Sequence, residues 1–218
     1  MKRILAIGAH PDDIEFGCGG TLFKHKQRGD FVVYLCMTST ESVDGVTGQL
    51  LRSKEQNYQG VECAAKVLDC DTIEFLPFTD LKVPFSFESV SGVEAIIRKY
   101  NIDIIYTHWT GDANQDHINT FKTTMAASRY VKNVYCYEQI PVPRMSENPM
   151  NINYYVDITD SFDKKIEAAN CHKSQMLKYK AHGFDVENNL RVLAEFRGIQ
   201  AQCKYAEAFQ VIKKVQTW

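Results

Sequence analysis

His10, Asp12 and Asp13 stand at the end of an apolar run, Ile4-Leu5-Ala6-Ile7-Gly8-Ala9, and bring an imidazole and two carboxylates to one place. His10 and Asp13 can hold a divalent metal, and Asp12 between them can act on a water at that metal. A second group, His108-Trp109-Thr110-Gly111-Asp112-Ala113-Asn114-Gln115-Asp116-His117, follows a second apolar run, Ile102-Asp103-Ile104-Ile105-Tyr106-Thr107. Two imidazoles and one carboxylate are a recurrent ligand set for catalytic zinc, with one coordination position left for water. His10, Asp13 and His117 make that set if the two runs end side by side. Each group alone also has a plainer reading. Pro11-Asp12-Asp13 can be a turn that caps a helix, because Asp accepts from free helical N–H groups. Asp116 can likewise N-cap a helix with His117 in its first turn. Two such groups at the ends of two apolar runs favour the metal.

The elements that must position these residues follow from the hydrophobic pattern. A short, wholly apolar strand is buried on both faces, as in a parallel sheet covered by helices. In such sheets ligands bind beyond the carboxyl ends of the strands. The sequence predicts strands over Arg3–Gly8, Phe31–Met37, Thr72–Phe75, Ile102–Thr107, Asn133–Tyr137 and about Tyr154–Val156. Helices are predicted over Gly17–Arg28, Leu51–Leu68, Phe87–Tyr100, onward from His117, and over Phe162–Tyr179 and Leu190–Lys204. This alternation means an α/β, Rossmann-like three-layer fold with a mainly parallel sheet. With 218 residues and no linker or repeat, the expectation is a single domain. Gly17-x-Gly19-Gly20 lacks the dinucleotide-binding spacing, and carboxylates at the strand end would repel a pyrophosphate. These glycines are expected to let a helix pack closely on the sheet.

Composition narrows the partners. Hydrophobic residues at 44% and charged residues at 24% suit a soluble globular protein. A net charge of -2 provides no basic footprint for nucleic acid or an anionic membrane. Met1-Lys2-Arg3 leads straight into a strand, and no apolar run reaches transmembrane length, so no membrane insertion is expected. The seven cysteines form no Cys-x-x-Cys pair, and several sit in apolar contexts where Cys behaves as a small buried hydrophobe. A cytoplasmic protein with reduced thiols is expected, and a homo-oligomer is left open.

Ala9-His10-Pro11-Asp12-Asp13, the Gly17 to Thr21 stretch, Arg52-x-x-Glu55 and Asp116-His117 resemble the LmbE-like or PIG-L family of zinc-dependent N-deacetylases. Phe196-Arg197-Gly198 and Tyr205-Ala206-Glu207-Ala208-Phe209 also resemble endings in that family. The resemblance implies removal of an acetyl group from an N-acetylated amino sugar or sugar conjugate, a small-molecule substrate. It makes His10, Asp13 and His117 the ligands of zinc, or of iron, cobalt or manganese, which such sites also accept. It makes Asp12 the general base, Asp116 a partner of the ligand set, and Arg52 a substrate contact on the next long helix. Without the resemblance, Arg52 reads equally well as a solvated helix charge paired with Glu55. One departure stands at Asn114, where many members carry a histidine that stabilises the oxyanion or protonates the leaving group. Other members share the Asp-x-Asn-x-Asp-His form seen here. His182 or His108 is the candidate replacement, His182 being favoured because its segment can fold over the pocket as a loop. Tyr135, Tyr137, Tyr154 and Tyr155 can stack on a sugar, but strand propensity explains them as well.

Two other classes compete. Asn114 suggests a metal- or carbohydrate-binding protein that has lost catalysis; the presence of Asp12 argues against it. A nucleotide-binding Rossmann module would need a phosphate-binding glycine loop, and the sequence has none at the strand end.

Overall fold

The structure, a computed structural model, describes residues 1–44, 46–140 and 149–216. In chain order the elements are β1 (Arg3–Gly8), α1 (Asp13–Gln27), β2 (Phe31–Thr38), β3 (Ser42–Val43), β4 (Leu50–Arg52) and α2 (Lys54–Val67). They continue with β5 (Thr72–Phe78), α3 (Phe87–Tyr100), β6 (Ile104–Thr107), α4 (Gln115–Ala127) and β7 (Asn133–Tyr137). The last are β8 (Tyr154–Asp157), α5 (Phe162–Ala169), α6 (Lys173–Ala181), α7 (Val186–Ala201) and β9 (Ala206–Lys214).

Seven strands form one mixed sheet in the order β5-β2-β1-β6-β7-β9-β8, with the first five mutually parallel. Alternate residues of β1 feed two different cores. Ile4 and Ala6 pack with Leu22 of α1, Val61 of α2 and Ala168 of α5. Leu5 and Ile7 pack with Val93 of α3 and Ala127 of α4 on the opposite face. These are the three layers that an apolar central strand requires. The order reverses on either side of β1, where β2 pairs on one edge and β6 on the other, so the crevice beyond β1 and β6 is the topological switch point. Among the described residues no helix is long and apolar enough to cross a membrane.

Several boundaries differ from the sequence expectations. α1 begins at Asp13, not Gly17, and carries a non-helical residue at Cys18. The N–H groups of Gly20 and Thr21, freed by that kink, donate to the buried Glu207 carboxylate at 3.0 and 2.7 Å. Lys165 neutralises Glu207 and also donates to the Phe16 carbonyl at 2.8 Å. A side chain at Gly17 would overlap the Tyr137 ring, and one at Gly20 would lie 2.9 Å from Ile158, so both glycines serve close packing. α2 begins at Lys54 because Ser53 caps it in a reciprocal pair with Gln56; the residues before the cap form the β3–β4 hairpin. The predicted helix over Phe162–Tyr179 is two helices, broken between Asn170 and His172. β9, which inserts antiparallel between β7 and β8, was not expected at all. The expectation of seven reduced thiols fails as well: Cys63 and Cys171, with Cα atoms 5.7 Å apart, are joined by a disulfide.

Candidate active site and metal centre

β1 and β6 are neighbours in the sheet, so the two groups that follow them meet at one sheet edge. His10 Nδ1 lies 3.3 Å from His117 Nε2, and His117 Nε2 lies 3.3 Å from Asp13 Oδ1. The remaining nitrogens explain why these atoms face one another. His10 Nε2 lies 3.0 Å from Asp116 Oδ2 and 3.2 Å from Asp80 Oδ1. His117 Nδ1 lies 2.8 Å from Asp112 Oδ2. A carboxylate at one ring nitrogen fixes the proton there and leaves the other lone pair free. Once the second proton of each ring is displaced, one lone pair from each imidazole and one Asp13 oxygen can converge, so the donor set fits a divalent metal. Asp116 is held in turn, since its second oxygen accepts the Val83 N–H at 3.1 Å.

The charges respond to this crowding. Burial by itself would lower the His117 pKa, but the Asp13 charge and the hydrogen bond to Asp112 lift it to about 9 in the metal-free protein. Burial would raise the Asp13 carboxyl, yet His117 and then His108 hold it well below the usual range.

Asp12 behaves differently from Asp13. Asp13 Oδ2 accepts the His10 N–H at 2.7 Å, and its Oδ1 accepts from the Gln139 amide at 3.0 Å. Asp12 occupies the N-cap position of α1 but its carboxylate caps nothing. It lines a cavity of about 400 Å³ together with His10, Asp13 and His117. Burial raises its pKa from the ordinary value, against the opposing pull of Arg52. A buried carboxylate with no capping bond, facing a cavity, is available for proton transfer. The simple helix-cap reading of Pro11-Asp12-Asp13 thus does not describe what Asp12 does.

Arg52 is buried and lines the same cavity, with Nη2 donating to Ser42 Oγ at 3.2 Å. It lies on β4 rather than on a helix, and Glu55 accepts from Gln59 instead. Asn114, not Asp116, caps α4: its Oδ1 accepts the Asp116 N–H at 2.9 Å.

Neither candidate replacement histidine reaches the cavity. His108 is 0% exposed and stacks on His117 with ring centroids 4.0 Å apart. Its Nε2 lies 3.0 Å from both the Ala9 N–H and Asp13 Oδ2, behind the convergence point and away from the rim. Burial and the charge of His117 push its pKa down to about 4, so it is neutral at ordinary pH. His182 is the exposed C-cap of α6, beyond the turn that faces the cavity. Of the four tyrosines considered for sugar stacking, Tyr137 lines the cavity, with its hydroxyl donating to the Ile7 carbonyl at 2.8 Å. Tyr135 and Tyr154 belong to the core.

Sequence reasoning gave no role to Asp80, Asp112 or Gln139. Asp112 stood in the second group and was legible as a partner for His117 five residues on. Asp80 follows β5, where no spacing marks it. His172 carries no such signal; it is buried with Nε2 3.4 Å from Glu15 Oε1 on the first turn of α1.

The sequence profile of the family described as PIG-L: GlcNAc-PI de-N-acetylase matches residues 5–128, more than half of the chain. The uncharacterized deacetylase YaiS of Escherichia coli K12 is 32% identical over 179 residues, spanning 79% of this chain and 91% of its own length. The diacetylchitobiose deacetylase of Thermococcus kodakarensis is 27% identical over 237 residues, spanning 97% of this chain and 84% of its own. Among solved structures, the 4-carboxy-2-hydroxymuconate hydratase GalB of Pseudomonas putida KT2440 superposes with a TM-score of 0.82 at 22% identity, covering 100% of this chain and 99% of that one. That likeness concerns the fold alone, and a hydratase on the same fold shows that the fold does not choose the reaction. On its profile match and its sequence relatives, the chain belongs to the PIG-L de-N-acetylase family.

Proposed function

We propose that the protein is a metal-dependent hydrolase that removes the N-acetyl group from an amino sugar or a conjugate of one. The observation that carries this reading is the pairing of two unlike carboxylates at the head of α1. Asp13 faces two histidine lone pairs, whereas Asp12 is uncommitted beside them. His10, Asp13 and His117 would hold the ion, with zinc first and iron, cobalt or manganese also compatible with two nitrogens and an oxygen. A divalent ion there supplies Lewis acidity for both the attacking water and the amide carbonyl.

The chain's own residues do the rest. Asp12 takes the proton of the attacking water, helped by a raised pKa that strengthens it as a base. The same carboxylic acid then returns the proton to the departing sugar nitrogen, giving acetate and a free amine. Asp112 and Asp116 keep the two ligand rings in the tautomers that point their lone pairs inward. Arg52, in the cavity wall, is positioned as a substrate contact. No catalytic role is proposed for His108 or His182, because one is sealed behind His117 and the other faces solvent. The cavity volume, about 400 Å³, suits a small-molecule substrate. The diacetylchitobiose activity named for one relative supports an N-acetylated amino sugar as that molecule. A binding protein without catalysis would have no use for a buried, uncapped Asp12.

The test is acetate release from a panel of N-acetylated amino sugars by chelator-treated and metal-reloaded protein. The reading expects acetate and primary amine in equal amounts, lost with the metal and restored by it. Equal release before and after chelation would remove the metal from the account.

A further inference from the structure

We infer that the Cys63–Cys171 bond is a thiol–disulfide exchange site whose state sets the placement of the α6 wall of the active-site cavity. Cys63 of α2 is exposed, and Cys171 is half-buried in the turn between α5 and α6. An incoming thiolate can therefore reach the bond. The free thiols of Cys18, Cys36 and Cys136, by contrast, are buried. Exposed disulfides are the labile ones, and in a reducing compartment such a bond opens and closes with redox state.

What the bond holds is one wall of the cavity. Gly60 and Cys63 are three residues apart on α2 and so share one face. Both meet the turn before α6. A side chain at Gly60 would lie 2.7 Å from His172 Nδ1, so α2 and this turn approach too closely for any residue with a Cβ. One residue before His172, Cys171 makes the covalent link. His172 starts α6 and reaches inward to Glu15. The next turns of α6 bring Ser174, Gln175, Lys178 and Tyr179 to the cavity wall. The disulfide thus fastens the base of that wall to α2. His10, Asp13 and His117 follow β1 and β6, and none of them lies on α2, α5 or α6.

The exchange is balanced as follows. A thiolate of an external dithiol attacks the Cys63 sulfur and displaces Cys171, which takes up a proton. The second thiol of the dithiol then resolves the mixed disulfide and frees Cys63 in the same way. The dithiol leaves oxidised, having given two electrons to the protein bond.

The experiment uses the full-length, metal-loaded protein after treatment with diamide or with a phosphine reductant, followed by alkylation mapping, hydrogen exchange and metal analysis. In the oxidised form Cys63 and Cys171 should resist alkylation. Reduction should expose both, speed exchange across residues 172–181 by about tenfold, and leave the metal content unchanged. The KM for an accepted N-acetylated sugar should rise by about threefold or more. Cys63→Ser should show the reduced-form values under both treatments. Alkylation of both cysteines after oxidation would overturn the proposal, as would equal exchange of 172–181 in the two states. A Cys63→Ser protein that still responds to oxidant would overturn it too. Only the KM comparison rests on the deacetylase reading, so a protein without that activity would still decide the matter by exchange and alkylation.

Discussion

Three of the carboxylates around the convergence point do not face it. Asp112 and Asp116 each sit behind one of the two imidazoles proposed to hold the ion, and Asp80 shares His10 Nε2 with Asp116. Removing such a partner usually weakens metal binding by about 10- to 100-fold, because the ring loses its fixed tautomer. Asp112→Ala is accordingly expected to lower the metal affinity by about that factor while leaving His10, Asp13 and His117 in place; competition titration against a metal indicator reads it directly. Proton competition gives a second prediction. With its pKa lifted to about 9, His117 carries a proton at neutral pH in the metal-free protein, and the ion must displace it. Burial would lower the His10 pKa too, but its hydrogen bonds to Asp116, Asp13 and Asp80 lift it well above the ordinary value, so affinity should rise with pH by about tenfold per unit for each proton displaced. A titration series that shows no pH dependence between neutrality and the His117 pKa would contradict that lifted value. At this scale the grouping is legible in the sequence, since His10, Asp12, Asp13 and His117 point by kind and spacing to one site, and the structure brings them to one cavity. Asp80 was not, because its contact with His10 crosses from another strand end. His182 was misjudged for a related reason: a Gly-containing segment looks like a loop, but here it ends a helix that faces its other turns inward.

At the scale of elements, the site depends on how α1 starts. The helix begins early, kinks at Cys18 and is pinned there by the buried Glu207, which serves two backbone N–H groups and Lys165. Breaking a buried pair by removing one partner leaves an uncompensated charge and costs about 3–5 kcal/mol. Glu207→Ala should lose stability of that order in urea unfolding, although no ligand of the metal is touched; a loss near zero would show that the network is not needed. Local signals gave most of the elements, and their failures have physical causes. The capping pair of Ser53 and Gln56 is a readable start for α2 and leaves Arg52 ahead of the helix, on β4. The break between α5 and α6 carries no Gly or Pro; it is set by contacts with α2, which a helical pattern does not encode. β9 pairs across the chain with β7 and β8, and nothing local distinguishes it from a helix tail.

For the whole molecule, the topology does what the sequence pattern demanded: β1 and β6 lie side by side at the switch point, and one strand end supplies Asp12 and Asp13 while the other supplies His117. The parallel part of the sheet was readable because its strands are short, apolar and separated by helices. Because the same fold also supports a hydratase, the claim rests on the division of labour between Asp12 and Asp13. Asp12→Asn separates the two, being nearly isosteric and unable to take a proton. Acetate release should be compared for wild type and Asp12→Asn at equal metal content, on the N-acetylated amino sugar that the wild type hydrolyses best. Turnover in the variant is expected to fall by a factor on the order of 10² to 10⁴, the usual weight of a general base, with the metal retained. An Asp12→Asn enzyme that keeps full metal and wild-type turnover would contradict the account.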